Sequence, residues 1–104
     1  MIFLTGASGL LGLHILDHQR SRGDSVLAPA RTPASADRLT ARGAEILSGD
    51  VADPATWQRV RGVTAIVHSA AVIVSHAGWE TYERINVGAT RLAAQRARDL
   101  GVPL

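Results

Sequence analysis

Apolar and polar positions fall into short blocks of two alternating kinds. Met1-Ile2-Phe3-Leu4 is an unbroken apolar run and predicts a short buried strand. From Leu10 to Arg22 the pattern turns helical. Leu10, Leu11, Ile15 and Leu16 make an apolar stripe, Asp17, Gln19, Arg20 and Arg22 face water, and Gly23 stands where a helix-ending glycine belongs. Ser25 to Ala30 predicts a second strand with Pro29 near its end, since proline cannot donate to a ladder. Thr32 as N-cap and Pro33 at the first position start a second helix that ends near Gly43. Ala44 to Ser48 predicts a third strand. Asp53 and Pro54 open a third helix that runs to about Arg61 and closes at Gly62. Val63 to Val67 is almost wholly apolar and rich in β-branched residues, as a strand covered on both faces should be. After a loop at Val72 to Gly78, a long helix is expected from Trp79 to Leu100. Leu92 and Ala93 lie on one face of it, Arg91, Arg96, Arg98 and Asp99 on the other, and Gly101 caps it. Val102-Pro103-Leu104 then begin a further segment.

Strands alternating with helices predict a parallel sheet with right-handed crossovers, an α/β doubly wound fold with strand order 3-2-1-4. The join between the first strand and first helix carries the candidate chemistry. Gly6, Gly9 and Gly12 recur at a spacing of three between them. A tight glycine turn running into a helix N-terminus directs backbone N–H groups and the positive end of the helix dipole at an anion. Gly6 allows the sharp turn, Gly9 lets the backbone approach a pyrophosphate, and Gly12 lets the helix pack against the strand. With a strand before and a helix after, the triplet reads as a dinucleotide-binding turn rather than as turn residues alone.

Composition narrows the classes. A chain of 104 residues with 46% hydrophobic residues is one small globular domain at most. It has no cysteine, so no disulfide framework or thiolate metal site is expected. No apolar run approaches the ~18 residues that span a bilayer. No basic leader precedes the first apolar run, so a cytoplasmic protein is expected. The formal charge of +2 is spread along the chain, which argues against a nucleic-acid surface. All 11 lysine-or-arginine positions are arginine.

Two side chains refine the nucleotide reading. Arg31 follows the second strand, where the adenosine ribose is reached in a nicotinamide-binding fold. A guanidinium there suits a 2′-phosphate, which favours NADP over NAD; the alternative is a solvated loop arginine. Asp50 sits at the carboxyl end of the third strand, where its carboxylate can accept the adenine amino group. The alternative is a turn aspartate.

Four segments, in order, resemble landmarks of the extended short-chain dehydrogenases/reductases, also called the NAD-dependent epimerase/dehydratase family. Thr5-Gly6-Ala7-Ser8-Gly9-Leu10-Leu11-Gly12 resembles the family's T-G-x-x-G-x-x-G turn, and Gly49-Asp50-Val51-Ala52-Asp53 its G-D-x-x-D segment. His68-Ser69-Ala70-Ala71 is similar to its H-x-A-A, and Asn86-Val87-Gly88-Ala89-Thr90 to its N-V-x-G-T, with Ala89 in place of the usual glycine. Arg31-Thr32-Pro33 looks most like the NADP-using reductases of the dihydroflavonol-reductase type. The resemblance implies a Rossmann-type fold and a nicotinamide dinucleotide, NADP or NAD. It implies that Thr5, Gly6, Ser8, Gly9, Leu10, Leu11 and Gly12 form the pyrophosphate turn and that Arg31 meets the 2′-phosphate. It gives adenine to Asp50 and Val51, the riboses to Ser69, Ala70 and Ala71, and a supporting place near the catalytic centre to Asn86.

The family's chemistry needs a tyrosine and a lysine four residues apart, the lysine lowering the phenol's pKa so that it can exchange a proton as hydride moves. Here Tyr82 is followed four residues on by Asn86, and no lysine exists. No catalytic residue is therefore expected among these residues, and Tyr82 reads as a packing or surface residue. The expectation is the amino-terminal part of a longer reductase or epimerase whose small-molecule substrate region lies elsewhere. A non-enzymatic NAD(P)-sensing protein and an inert fragment are the alternatives. The fourth strand should then expose an apolar edge, favouring aggregation or a homodimer.

Overall fold

Four parallel strands in the order β3-β2-β1-β4 form the centre of the computed structural model, which describes residues 1–72, 76 and 78–104. The strands are β1 (Ile2–Thr5), β2 (Val26–Ala30), β3 (Glu45–Ser48) and β4 (Ala65–His68). Phe3 of β1 pairs with Leu27 on one side and Ile66 on the other, and Ala28 of β2 pairs with Ile46. The helices between them are α1 (Leu10–Ser21), α2 (Pro33–Ala41) and α3 (Pro54–Gln58). After β4 come α4 (Trp79–Tyr82), a π-helical turn (Glu83–Gly88) and α5 (Ala89–Leu100). The strand order and the parallel sense agree with the sequence pattern. No helix among the described residues is long and apolar enough to cross a membrane.

Alternation along the strands divides the core into two layers. Leu4, Val26, Ala28 and Ala30 point to the side covered by α1 and α2, where Leu16 and Leu39 are buried. Phe3 and Ile66 point to the other side, with Trp57 and Val60 from the α3 region and Ala93 and Ala97 of α5. Phe3 meets Trp57 edge to face, with ring centroids 5.4 Å apart. Three small residues at i, i+4, i+8 of α5 (Ala89, Ala93 and Ala97) let that helix lie close to the sheet.

The predicted helix starts hold. Thr32 Oγ1 accepts the Ser35 N–H at 3.2 Å and Asp53 accepts the Ala55 N–H at 2.9 Å, each with proline next in the chain. Pro29 lies inside β2, fourth of five residues. Ile2 N–H reaches the Ser25 carbonyl and Gly49 N–H the Ala30 carbonyl, so the alternation turns Pro29 toward β1. The β1–β2 register ends at Phe3 and Leu27, where the next ladder bond would need the N–H that Pro29 lacks.

Several boundaries move, each because packing overrides the local pattern. Thr5 belongs to β1, paired with His68. α3 stops at Gln58 rather than Arg61 because Arg59 and Val60 tighten into i→i−3 bonds that turn Val60 into the core. β4 begins at Ala65 because Thr64 N–H is drawn to the Met1 carbonyl at 2.8 Å. The long helix is broken by the π-helical turn. Arg96 is not a solvated residue: its guanidinium donates to the Val60 carbonyl at 2.6 and 3.1 Å and to Gln58 at 3.3 Å, capping the end of α3. The outer edge of β4 is not bare, since Ile66 N–H donates to the Pro103 carbonyl at 2.9 Å. The predicted loop at Val72 to Gly78 falls partly on Ile73, Val74, Ser75 and Ala77, which lie outside the described residues.

Leu16 joins α1 to the sheet with no exposed surface. Leu16→Ala should lower folding stability by about 2–5 kcal/mol, read as a fall in urea midpoint at unchanged m-value.

Candidate functional site

The carboxyl ends of all four strands open on one crevice of about 620 Å³. Its floor is the turn from β1 into α1. Gly6 has φ +69°, a left-handed conformation that glycine adopts without strain. A Cβ at Gly6 would also lie 2.7 Å from the Ala70 nitrogen, so the turn touches the segment after β4. Gly12 is tighter still. A Cβ there would lie 1.9 Å from the Gly6 carbonyl oxygen and 2.7 Å from Ala7 Cα. The helix thus packs on the turn rather than on the strand. Gly9 differs: a Cβ there would meet only the Gly6 oxygen, at 3.4 Å, so its lack of a side chain is not demanded by packing within the chain.

Gly9 is the N-cap of α1, and no side chain caps this helix. Its own N–H bonds to the Gly6 carbonyl at 3.0 Å, and the first intrahelical bond runs from Leu13 to Gly9. The N–H groups of the intervening first turn therefore lack a capping acceptor at the positive end of a 12-residue helix. Ser8, Gly9, Leu10 and Leu11 line the crevice at this point. Leu10 and Leu11, expected in the apolar stripe of α1, are instead 81% and 65% exposed, because the first turn projects past the edge of the sheet.

From this floor the crevice extends both ways. Beyond β2 and β3 it is lined by Arg31, Thr32, Ser35, Asp50 and Val51. Arg31 is exposed and has no ion-pair or hydrogen-bond partner among the described residues. Asp50 Oδ1 accepts the Ala52 N–H at 2.9 Å, so the turn role is real, but its second oxygen has no such bond and the residue is on the crevice wall. Beyond β4 the wall is Ser69, Ala70, Ala71 and Val72, with Ile85 of the π-helical turn facing them.

Two of the expected site residues stand behind the wall instead of on it. Thr5 is fully buried, so it cannot touch a ligand in the crevice. Its hydroxyl accepts the Ala70 N–H at 3.2 Å and lies 2.7 Å from His68 Nδ1, while its carbonyl accepts the Ser69 hydroxyl at 2.7 Å. Asn86 does not line the crevice. Its amide donates to the Val72 carbonyl at 2.9 Å and its oxygen accepts the Val72 N–H at 2.7 Å, a two-point clamp of the kind a backbone partner would make. Which face Thr5 takes depends on register, so the local sequence does not show it; Asn86, expected in a supporting place, reaches Val72 from the π-helical turn.

Pro29, Ala30, Thr32, Ser35, Gly49, Val72 and Ile85 line the crevice without having been foreseen as site residues. Position alone could have flagged all but Ile85, since they sit in the last residues of a strand or just beyond its end. Ile85 carries no such signal. His68 is half-buried against the Trp57 ring, with centroids 6.1 Å apart, and its Nε2 lies 3.2 Å from Thr90 Oγ1. Desolvation by burial pushes its pKa below the ordinary 6.5. No group of three or more metal-ligating side chains exists among the described residues.

A model of the NAD dependent epimerase/dehydratase family matches residues 2–104. A 4-hydroxy-2-methyl-3-oxo-4-farnesyl-3,4-dihydroquinoline-1-oxide ketoreductase from Stigmatella aurantiaca is 33% identical over 98 residues, which is 93% of this chain and 29% of the ketoreductase. A short-chain dehydrogenase/reductase superfamily protein from Agrobacterium tumefaciens, solved with bound NAD, superposes with a TM-score of 0.79 at 27% identity. The match covers 98% of this chain and 30% of that one. The Bordetella bronchiseptica enzyme WbmH, in complex with NAD+, shares the fold at a TM-score of 0.81 and 24% identity, over 97% of this chain and 36% of its own. The chain thus spans about a third or less of the length of the first two of these relatives.

The two glycines of the turn should separate in a stability measurement. Gly12→Ala drives a methyl into backbone and should cost about 3 kcal/mol or more, whereas Gly9→Ala should stay within about 1 kcal/mol, the cost of a poorer N-cap. Urea melts of the two variants beside the parent chain check this.

Proposed function

The chain belongs to the NAD-dependent epimerase/dehydratase family, and from that membership we propose that its crevice binds a nicotinamide dinucleotide, preferring NADP. We propose further that residues 1–104 are the amino-terminal, nucleotide-binding portion of an oxidoreductase or epimerase. The observation that carries this reading is the uncapped N-terminus of α1 opening on a crevice that joins all four strand ends. An anion placed there gains several backbone donors and the helix dipole at once. The pyrophosphate goes to Gly6, Ser8, Gly9, Leu10 and Leu11, held mainly through backbone. The adenosine half extends toward Val51 and the free oxygen of Asp50. The other half lies along Ser69, Ala70 and Ala71, whose small side chains leave room for a ribose.

Arg31 supports the NADP preference. It is an unpaired guanidinium on the crevice wall beside the first turn of α2, with Thr32 and Ser35 as neighbouring hydroxyls. A fork of N–H donors matches a phosphate better than a ribose hydroxyl. The Agrobacterium relative holds NAD, so the preference rests on this residue. When bound, the dinucleotide supplies the hydride chemistry. These residues hold and orient it; the proton-transferring tyrosine–lysine pair of the family is not among them. The ketoreductase relative supports a ketone as the small-molecule substrate of the whole protein.

A non-enzymatic NAD(P)-sensing protein is the second reading, favoured by the absence of any lysine from the 104 residues. A Tyr-x-x-x-Lys elsewhere in the protein that carries these residues, with turnover of a carbonyl substrate, decides for the enzyme.

Titration followed by nicotinamide fluorescence tests the site. NADPH should bind at least about tenfold more tightly than NADH, the scale of one charge-assisted contact. Arg31→Ala should abolish most of that difference and leave NADH unchanged. Gly9→Ala should weaken both cofactors while lowering the melting temperature by no more than about 8 °C, the equivalent of the cap cost of about 1 kcal/mol. Absence of binding by either cofactor would overturn the nucleotide assignment, and equal affinities would overturn the NADP preference alone.

A further inference from the structure

His68 lies at the end of β4 and does not line the crevice. It sits where three segments distant in sequence meet: Thr5 of β1 is bonded to one ring nitrogen, Thr90 of α5 to the other, and Trp57 of α3 packs on the ring. The donors and acceptors in this cluster permit one arrangement of protons. Thr90 has a single hydroxyl proton, and it goes to the Asn86 carbonyl at 2.6 Å, because a carbonyl can only accept. Toward His68, Thr90 Oγ1 must therefore accept, and Nε2 must carry the hydrogen. In a neutral imidazole Nδ1 is then a bare acceptor, and it takes the Thr5 hydroxyl proton at 2.7 Å. That leaves a lone pair of Thr5 Oγ1 to accept the Ala70 N–H at 3.2 Å. Every hydrogen in the run from Ala70 to Asn86 thus has one acceptor.

We propose that His68 is a positioning residue for the crevice: as the neutral Nε2–H tautomer it orients the Thr5 hydroxyl, which holds Ala70 and with it the wall after β4 against the Gly6 turn. The inference takes the crevice from the reading above but not its ligand. Protonation breaks the pattern. An imidazolium donates from both nitrogens, so Nδ1–H faces Thr5 Oγ1 and the Thr5 proton loses its acceptor in a fully buried site. Among the described residues, the side chains that bond or pack on the ring are Thr5 from β1, Trp57 from α3 and Thr90 from α5, all neutral. Among the described residues no carboxylate forms an ion pair with His68 that would favour the charge. Arg96, the cation of α5 turned toward α3, is engaged with the Val60 and Gln58 carbonyls. Burial acts in the same direction, lowering the pKa of the ring.

The sign of the pH effect follows. The unfolded chain takes up a proton at His68 near 6.5 and the folded chain only at lower pH. Stability is therefore highest above 6.5 and is lost as pH falls from there through the folded pKa. Thr5 Oγ1 then has to share its two lone pairs between Nδ1–H and Ala70 N–H while its own proton seeks a new acceptor, so the Ala70 amide should loosen over that same lower range.

Nuclear magnetic resonance on the 104-residue chain, with no nucleotide present, tests this directly. Long-range ¹⁵N–¹H correlation should show His68 as the Nε2–H tautomer with a titration midpoint below 6.5. Intrinsic-rate-corrected hydrogen exchange at Ala70 should speed up about tenfold across that midpoint, the equivalent of one buried hydrogen bond lost. In His68→Asn the side-chain oxygen can still accept from Thr5 but cannot titrate, so the Ala70 response should vanish. In Thr90→Val, which removes the acceptor for Nε2–H, the preference for that tautomer should fall. An Nδ1–H tautomer, a midpoint at or above 6.5, or Ala70 exchange indifferent to the His68 titration would overturn the proposal. Since no readout uses NADPH, a failed nucleotide assignment leaves this test intact.

Discussion

The contact that the rest of the structure depends on is the seating of α1 on its own entry turn. Gly12 rests on the Gly6 carbonyl and Ala7 at a distance no side chain could share. That contact sets how close the helix N-terminus comes to the end of β1. A helix held further away would still bury Leu16, but it would not bring the backbone N–H groups of its first turn to the mouth of the sheet. The exposure of Leu10 and Leu11 is the visible cost. Two leucines stand in the crevice because the helix begins there and not under the sheet.

The opposite wall is built by different means. It is tied by hydrogen bonds from two sides: Thr5 takes Ala70 and Ser69, and Asn86 takes Val72 through both its atoms. Each of these side chains offers a donor and an acceptor to backbone groups that would otherwise lie unpaired near the core. Close packing thus shapes the crevice on the α1 side, and a polar network shapes it on the β4 side. Small residues on both walls leave the space between them open.

The four segments that resemble the family's landmarks lie at strand ends or brace them, the family model spans residues 2–104, and the fold recurs in a relative of which this chain covers 30%. Residues at strand ends face a ligand or hold those that do.

Hydrophobic pattern and turn chemistry made the elements, the parallel sheet and the glycine turn legible from the chain. These are local signals: strand-length apolar runs, Thr32-Pro33 and Asp53-Pro54 at helix starts, and glycine spacing at a strand–helix join. Most of the crevice lining could be read the same way, because parallel strands put their carboxyl ends together. What needed the folded molecule were relations between segments far apart in sequence. The face taken by Thr5 depends on its register with His68, and the length of α3 on the core's claim to Val60. Arg96 shows no local sign of its role, since its acceptors lie more than 30 residues away. Asn86 and Ile85 owe their places to a π-helical turn that no periodicity in the chain announces. Propensity acts over a few residues, whereas packing and hydrogen-bond satisfaction act across the whole core, and only the latter decides which side chains line a cavity and which stand behind it.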